Sequence, residues 1–372
     1  MKRILKILLT LVIVVIVFAV GFIITLQAFE YRPDDITILT IADNPVNISE
    51  NYIDSEESLT VLTFNIGYGS LSETEDFVMD GGQKAKMDTE DEVVENLEGI
   101  SSILENHPAD IYLIQEVDVD SQRSYNINQL NYYHDLLGKS SVLAYNYRCI
   151  FVPFPLSLNQ MMGKVNSGIV TFSDYYTESA ERHQLPGSFA WPISLANLKR
   201  AMLITKYPIK NSEKYLVVIN VHLSAYDDGT MRLQEMEALK QVMQDEYDAG
   251  NYVLVGGDFN QTFPAAYTID GDNGEIINYH YELRDETFWQ AYPMEEDWLS
   301  GDSFSFGVDI TTPTCRLLHQ PYDSVNLENN QYYVIDGFIV SNNLTIDDVI
   351  TLDQDFVYSD HNPVKITVSF IG

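Results

Sequence analysis

The sequence predicts an α/β domain of two packed sheets with helices outside, carried behind an N-terminal helix that crosses a membrane. Three observations carry this. An uncharged apolar run extends from Ile7 to Phe29, just after Lys2, Arg3 and Lys6. Short apolar runs of strand-forming residues recur from Leu59 to the C-terminus. Only two stretches, Glu90 to Glu105 and Thr230 to Tyr247, space their apolar residues as helices do. Many strands with few helices suit packed sheets covered from outside.

The apolar run is long enough to span a bilayer, which takes about 20 such residues. Its basic flank predicts a cytoplasmic N-terminus, which puts everything after residue 30 outside the cytoplasm. A cleaved signal peptide is the rival reading. Its apolar core is shorter, about 7–15 residues, and ends in a small-x-small site. No A-x-A follows the run, so residues 1–29 read as an uncleaved anchor. Residues 30–58 contain "RPDD", "ADNP" and "DSEES" and read as an acidic tether. Residues 59–372 are then the globular domain.

The strands of that domain are "LTVLTFNIG", "DIYLIQEVD", "SGIVTFSDY", "KRAMLITKYPI", "YLVVINVHLS", "NYVLVGGDFN", "YYVIDGFIVS" and "VKITVSFIG". The first helix carries Val93, Leu97, Ile100 and Leu104 on one face, the second Leu233, Met236, Leu239 and Met243. Both read as amphipathic covers on a sheet. The stretches 120–165 and 264–330 are rich in Tyr, Asn, Pro and Gly and read as long loops, where substrate choice resides. No internal repeat is visible.

Bulk composition narrows the function. The 372 residues carry a formal charge of −34. Such a field repels polyanions and disfavours nucleic acid as a partner, whose readers usually carry a basic groove. A bound divalent cation would reverse the sign locally. Cys149 and Cys315 are the only cysteines. They form neither a disulfide framework nor a zinc motif, and a single disulfide between them stays an open alternative in an extracellular domain.

The polar residues at strand ends point to chemistry. In "NYVLVGGDFNQT", Asp258 and Asn260 are two positions apart, and residues at i and i+2 of an extended chain share a face. A turn is the plain reading of Gly, Asp and Asn together. Yet the pattern repeats. Asn65 closes "VLTFN", Gln115-Glu116 close "IYLIQE", and His222 interrupts "VVINVHL". Asp336 lies in "YYVIDGFIV", and Asp360-His361 precede "NPVKITVSF". Each has a bland explanation as a turn, a solvated loop or a hydrogen-bonded core residue. Together they put metal- and phosphate-binding groups where neighbouring strands end.

These segments resemble the ordered motifs of the endonuclease/exonuclease/phosphatase superfamily, the deoxyribonuclease I-like fold. The resemblance rests on "TFNIG", "IYLIQEVD", "NVHLSAYDD", "VGGDFNQT", "VIDGFIVS" and "SDHNPV", in the family's order, over about residues 58–372. Arg232 and Gln234 match its R-x-Q pattern, and "TPTCR" its P-T stretch. The resemblance implies a four-layered α/β sandwich, two mixed sheets face to face with helices outside. It also implies hydrolysis of phosphate esters with Mg²⁺ or Mn²⁺ by in-line attack of water. By the same resemblance Glu116, Asn65 and Asp360 serve the metal, and Asp258 positions or deprotonates the water. Asn260 contacts the phosphate, His361 faces it with Asp336 orienting the ring, and His222 is an acid for the leaving oxygen. No glutamate in "FPLSLNQMMGKVNSG" matches the family's partner for His222, and Asn166 and Asp227 are the substitutes to consider.

The substrate is thus expected to be a phosphodiester or phosphomonoester on a lipid or small-molecule head group. "TTPTCRLLHQ" lacks the Trp and Asp of the inositol-phosphatase branch. An extracytoplasmic nuclease is the alternative, with Lys164, Lys199 and Arg200 as local basic residues. A non-catalytic binding module and a membrane-anchored adhesion domain are the other classes, and neither needs Asp258, Asn260, Asp336 and His361 at once.

Overall fold

The computed structural model describes residues 2–371 except 47, 158, 228, 270–275, 279–282, 300 and 302. In chain order it opens with α1 (Lys2–Ala28), β1 (Ile36–Ile38), β2 (Leu59–Asn65), α2 (Glu90–Asn106) and β3 (Ile111–Asp118). Next come α3 (Gln129–Leu137), β4 (Ser140–Val152), β5 (Gly163–Ser173), β6 (Ser179–Gln184) and β7 (Ala201–Pro208). Then follow β8 (Tyr215–His222), α4 (Thr230–Asp248) and β9 (Tyr252–Asp258).

Two parallel pairs set the architecture: β2 runs through α2 into β3, and β8 through α4 into β9. Antiparallel strands extend each pair into a mixed sheet. One sheet runs β1-β6-β7-β8-β9, then Asp336–Ser341 and Phe304–Gly307. The other runs Leu344–Thr351, Val364–Phe370, β2, β3, β5, β4. Their inner faces meet in a core that includes Val61, Leu113, Val218, Leu254, Phe338 and Ile366. α2 and α3 cover the outer face of one sheet through Leu97, Ile100 and Tyr133. α4 covers the other through Met236, Leu239 and Met243. The result is the expected four-layered α/β sandwich.

α2 begins where the sequence predicts because Thr89 and Glu92 form a capping box. This satisfies two backbone donors that the first turn leaves free.

Several expectations need correction. The 30–58 segment is not a free tether. Ile36–Ile38 pairs antiparallel with β6, and Ile53 is buried against Ile209. Isolated isoleucines in an acidic stretch carry too little pattern to reveal an edge strand. The stretch 120–165 is not loop either, since it holds α3 and the long edge strand β4. β4 disguises itself with Tyr, Asn and Arg because an edge strand keeps part of its length in solvent, as at Arg148 and Ile150. Within 264–330, Phe304–Gly307 joins a sheet edge, while 270–275, 279–282, 300 and 302 lie outside the described residues. The paired strands β6 and Leu344–Thr351 escape the sequence reading because polar and acidic residues interrupt them.

The glycines before Asp258 have separate reasons. A Cβ on Gly256 would lie 2.7 Å from Leu113 and Phe338, so the sheets close there over bare backbone. Gly257 has φ +151°, and its Cβ would lie 2.0 Å from the Val221 carbonyl. Gly257→Ala is therefore expected to cost at least about 2 kcal/mol of stability, read as a lower denaturation midpoint.

Candidate active site

Strand register builds the site. β8, β9 and Asp336–Ser341 are neighbours, with His222 opposite Asp258 and Asp258 opposite Asp336. Three ionisable side chains thus stand in one row across three strands. From the facing sheet, Asn65 at the end of β2 donates from Nδ2 to Asp258 Oδ2 at 3.0 Å. Its Oδ1 accepts from Gly67 N–H at 3.1 Å. A donor on one side and a carboxylate on the other determine which way the amide points. Asn65 is hence held at both ends, with Asp258 as its direct side-chain partner.

His361 comes from the loop before Val364–Phe370 and bridges to Cys315 in the "TPTCR" segment. Its Nδ1 lies 2.8 Å from Asp336 Oδ2, and its Nε2 lies 3.8 Å from Asp258 Oδ2 and 3.4 Å from Asn65 Nδ2. Thr314 Oγ1 accepts from the backbone N–H groups of Ile335 and Asp336 at 2.9 and 3.1 Å. The P-T stretch thus holds the start of the Asp336 strand in place.

β9 ends at Asp258, and Asn260 turns away with φ +50°. The shared-face expectation for Asp258 and Asn260 therefore fails: a left-handed residue, which Asn tolerates well, leaves the extended geometry. Instead Asn260 N–H donates to Asp258 Oδ1 at 2.9 Å, and its Nδ2 to the Leu223 carbonyl at 2.9 Å. Asn260 still lines the cavity.

Glu116 reaches the site through a bulge. The β3–β5 pairing shifts register between Ile114 and Val117, and Glu116 takes φ +57°. That conformation is strained for glutamate, at about 1–3 kcal/mol. The bulge lets Gln115 turn into the intersheet core, where it donates to Asn220 Oδ1 at 2.8 Å. Glu116 lines the cavity with Oε1 3.9 Å from His222 Nε2. Asp360 lines it too, with Oδ2 4.0 Å from His361 Nε2.

Electrostatics separate the two histidines. Burial opposes charge on His361, but Asp336, Cys315, Asp360 and Asp258 outweigh it and hold its pKa well above the ordinary value. Burial pushes the His222 pKa well below the usual range, and Arg200, His361 and Arg123 add to the effect. Burial, then Asp336, raises the Asp258 carboxyl to about 7, against His361, Asn65 and Asn260. Burial also raises Asp360 to about 7, with Glu116 adding and His361 opposing.

The absent carboxylate partner of His222 has a structural counterpart. His222 Nδ1 is buried without a hydrogen-bond partner, while Nε2 is 3.4 Å from Asp258 Oδ2. Asp227 is paired with Arg232 and Asn166 bonds Ser121 and Asp120, so neither reaches His222. The proton belongs on Nε2, toward the carboxylates, and the ring is neutral near pH 7. A neutral imidazole is a poor acid, so the acid role expected of His222 requires the ring to gain a proton when a phosphate anion enters.

Sequence reading named Arg200 only as a local basic residue and missed Arg123, and both contribute to the cavity wall. Arg200 donates to the His222 carbonyl at 2.9 Å and lines the cavity. Arg123 is clamped by Asp118 at 3.0 and 2.9 Å, with its guanidinium 3.6 Å from the Tyr68 ring centroid. Single arginines outside a motif carry no sequence signal. Cys149 and Cys315 are both buried and free, so the disulfide alternative is not realised.

The donors fit a hard divalent cation. Glu116 and Asp360 present carboxylate oxygens, the chemistry such ions take. Asp360 has no lysine or arginine ion pair among the described residues, and Glu116 raises its pKa. Two acidic groups that repel each other across a cavity are relieved by a cation.

The model of the endonuclease/exonuclease/phosphatase family matches residues 62–361. An endonuclease/exonuclease/phosphatase from Beutenbergia cavernae is 15% identical, with 85% of this chain and 72% of that chain covered at a TM-score of 0.56. One from Bacteroides vulgatus is 14% identical, with 84% and 99% covered at 0.51. A functionally unknown conserved protein from Enterococcus faecalis is 16% identical, with 84% and 100% covered, also at 0.51. At such identities the likeness shows a shared fold. No curated protein matches the chain.

Proposed function

The chain belongs to the endonuclease/exonuclease/phosphatase family, and from that footing we propose that it is a phosphoesterase dependent on a divalent cation, Mg²⁺ or Mn²⁺. The observation that carries this is the row of His222, Asp258 and Asp336, closed from the facing sheet by Asn65 and from above by His361. Glu116 and Asp360 would hold the cation. When bound, it would neutralise phosphate charge and polarise the phosphoryl oxygens.

The chain's own residues do the rest. Asp258, held by Asn65 Nδ2 and Asn260 N–H, accepts the proton of the attacking water. A carboxyl raised to about 7 suits a base near neutral pH. His361, kept charged by Asp336, donates from Nε2 to a phosphoryl oxygen as charge develops there. Neutral His222 donates from Nε2 and helps hold Asp258 and the phosphate in line. Arg200 adds fixed positive charge to the same wall.

The basic residues offered for nucleic acid do not support a nuclease. Lys164 is paired with Asp120, Lys199 with Glu30, and Arg200 is in the cavity wall. A small or lipid phosphoester is the favoured substrate. α1 is long and apolar enough to cross a membrane. Lys2, Arg3 and Lys6 in its first turns favour an N-terminus in the cytoplasm and the domain on the outer side.

The test is turnover of bis-p-nitrophenyl phosphate and p-nitrophenyl phosphate with Mg²⁺ and with EDTA. Chelation is expected to abolish turnover; equal rates in both would sink the mechanism. Stability adds a second readout. In the metal-free protein, Asp258 and Asp360 hold protons up to about pH 7, against the ordinary 3.8 when unfolded. His361 holds its proton well above 6.5. His222, held well below its ordinary value, binds fewer protons when folded and offsets part of this, but the three raised groups outweigh it between pH 6 and 8, so stability falls as pH rises. Mg²⁺ competes with those protons, so its increase in Tm is expected to be larger at pH 8 than at pH 6.

A further inference from the structure

The cavity does not end at the phosphate site. It has a volume of about 740 Å³ and continues from Asp258 and His361 to Phe22, Ile23 and Leu26 of α1. A membrane-spanning helix thus forms one wall of the cleft that holds the candidate catalytic residues. The contact is built. Leu26 is buried with Tyr147, Val152, Met162 and Leu195, and Phe22 meets Phe151 edge-on at 6.0 Å. Trp191 Nε1 donates to Gln27 Oε1 at 3.1 Å, and Lys199 pairs with Glu30 at 3.1 Å.

Helix length places this wall relative to a bilayer. At 1.5 Å per residue, about 20 residues cross a hydrocarbon core of about 30 Å. Counted from Ile7, that reaches Leu26. The turn of α1 that emerges from the bilayer is therefore the one packed on the domain, so the cleft opens at the membrane surface.

The rim of the opening matches that position. Residues 150–162 and 185–198 contain no Asp, Glu, Lys or Arg, in a chain whose net charge is −34. These runs flank α1 and expose Phe154, Leu156, Trp191 and Ile193, with Leu156 90% exposed. Apolar side chains clustered around an opening mark a surface that meets another apolar phase.

We propose that the substrate is an amphipathic phosphoester drawn from the bilayer that holds α1, a membrane lipid whose phosphate reaches Asp258 and His361 while its hydrocarbon part lies in the cleft beside Phe22, Ile23 and Leu26. The proposal rests on the phosphoesterase reading and names the substrate class of that site. Apolar walls favour the chain by removing methylenes from water, and a lipid already in the membrane reaches the cleft without crossing the acidic field of the domain.

The test uses the full chain reconstituted in vesicles with Mg²⁺. Hexadecyl p-nitrophenyl phosphate in the bilayer is compared with ethyl p-nitrophenyl phosphate in solution, which carries the same reacting group and chromophore. The long-chain ester is expected to have a kcat/KM at least about a hundredfold higher. Leu156→Asp and Ile193→Asp are expected to lower the ratio of the two values at least about tenfold. Lipids brominated in the acyl chain should quench tryptophan fluorescence, and Trp191→Phe should remove most of that quenching. Hydrolysis of both esters at a ratio near one, unchanged in the rim variants and without quenching, would overturn the lipid proposal and leave the phosphoesterase reading standing. A rim substitution that leaves the ratio intact but splits a dimer would overturn it as well and give the rim to a second copy of the chain. Hydrolysis of neither ester would remove the phosphoesterase reading, and the lipid proposal with it.

Discussion

Asp258→Asn is expected to lower kcat on bis-p-nitrophenyl phosphate by about 10²–10⁴-fold, the range for loss of a positioned general base. KM should change little, because the amide keeps the shape of the side chain. The same substitution should change Tm little, because a relieved buried charge and a lost hydrogen bond oppose each other. Asp258 is buried, and burial together with Asp336 makes its charged form costly. Removing a charge held against its environment relieves that cost. Asn65 Nδ2 can keep an amide oxygen as its acceptor, but the Asn260 N–H then loses Oδ1, which accepts it at 2.9 Å, and faces an amide NH2 instead. Activity lost with stability retained separates a catalytic role from a structural one. A variant with near-parental kcat would remove Asp258 from the mechanism. Equal falls in kcat and Tm would make it a packing residue.

Asp336→Asn is expected to be nearly as damaging, at about 10²–10³-fold in kcat, and to shift the pH profile. Asp336 Oδ2 lies 2.8 Å from His361 Nδ1 and is the strongest opponent of burial in keeping that ring charged. An amide there lowers the His361 pKa, so activity should decline at lower pH than in the parent. The sign follows from the base: His361 works as the cation, present below its pKa and lost above it. His361→Ala should cost at least as much, and Asp336→Asn should add little on that background. Non-additivity is what a pair acting as one unit requires. If the two losses multiplied, the residues would be acting separately.

Both variants act on residues legible in the sequence, for a physical reason. Asn65, Glu116, His222, Asp258 and Asp336 interrupt or close apolar strand runs, where polar side chains are costly unless they have partners. Asp360 and His361 stand just before one. The same contrast made α2 and α4 visible, through periodic apolar residues and, at Thr89, a capping box. What local pattern could not supply was register. Asp336 faces Asp258 only because the strand Asp336–Ser341 pairs antiparallel with β9 at that offset. Edge elements were hidden as well, since β1, β4 and Leu344–Thr351 keep polar or exposed positions that blur alternation.

By itself the sequence determined the strand-rich α/β class, the apolar N-terminal helix and the kinds of side chain offered at strand ends, because these follow from local hydrophobic pattern and residue chemistry. The tertiary structure decided which of them meet. It put Glu116 into the cavity through a bulge, committed both ends of the Asn65 amide, left His222 neutral without a carboxylate on Nδ1, and brought Arg200 into the wall. It also laid the end of α1 against the domain, so that one cleft joins a candidate membrane helix to the row of candidate catalytic residues. Contacts between residues more than a hundred positions apart depend on strand order and sheet packing, and no local run of sequence carries that information.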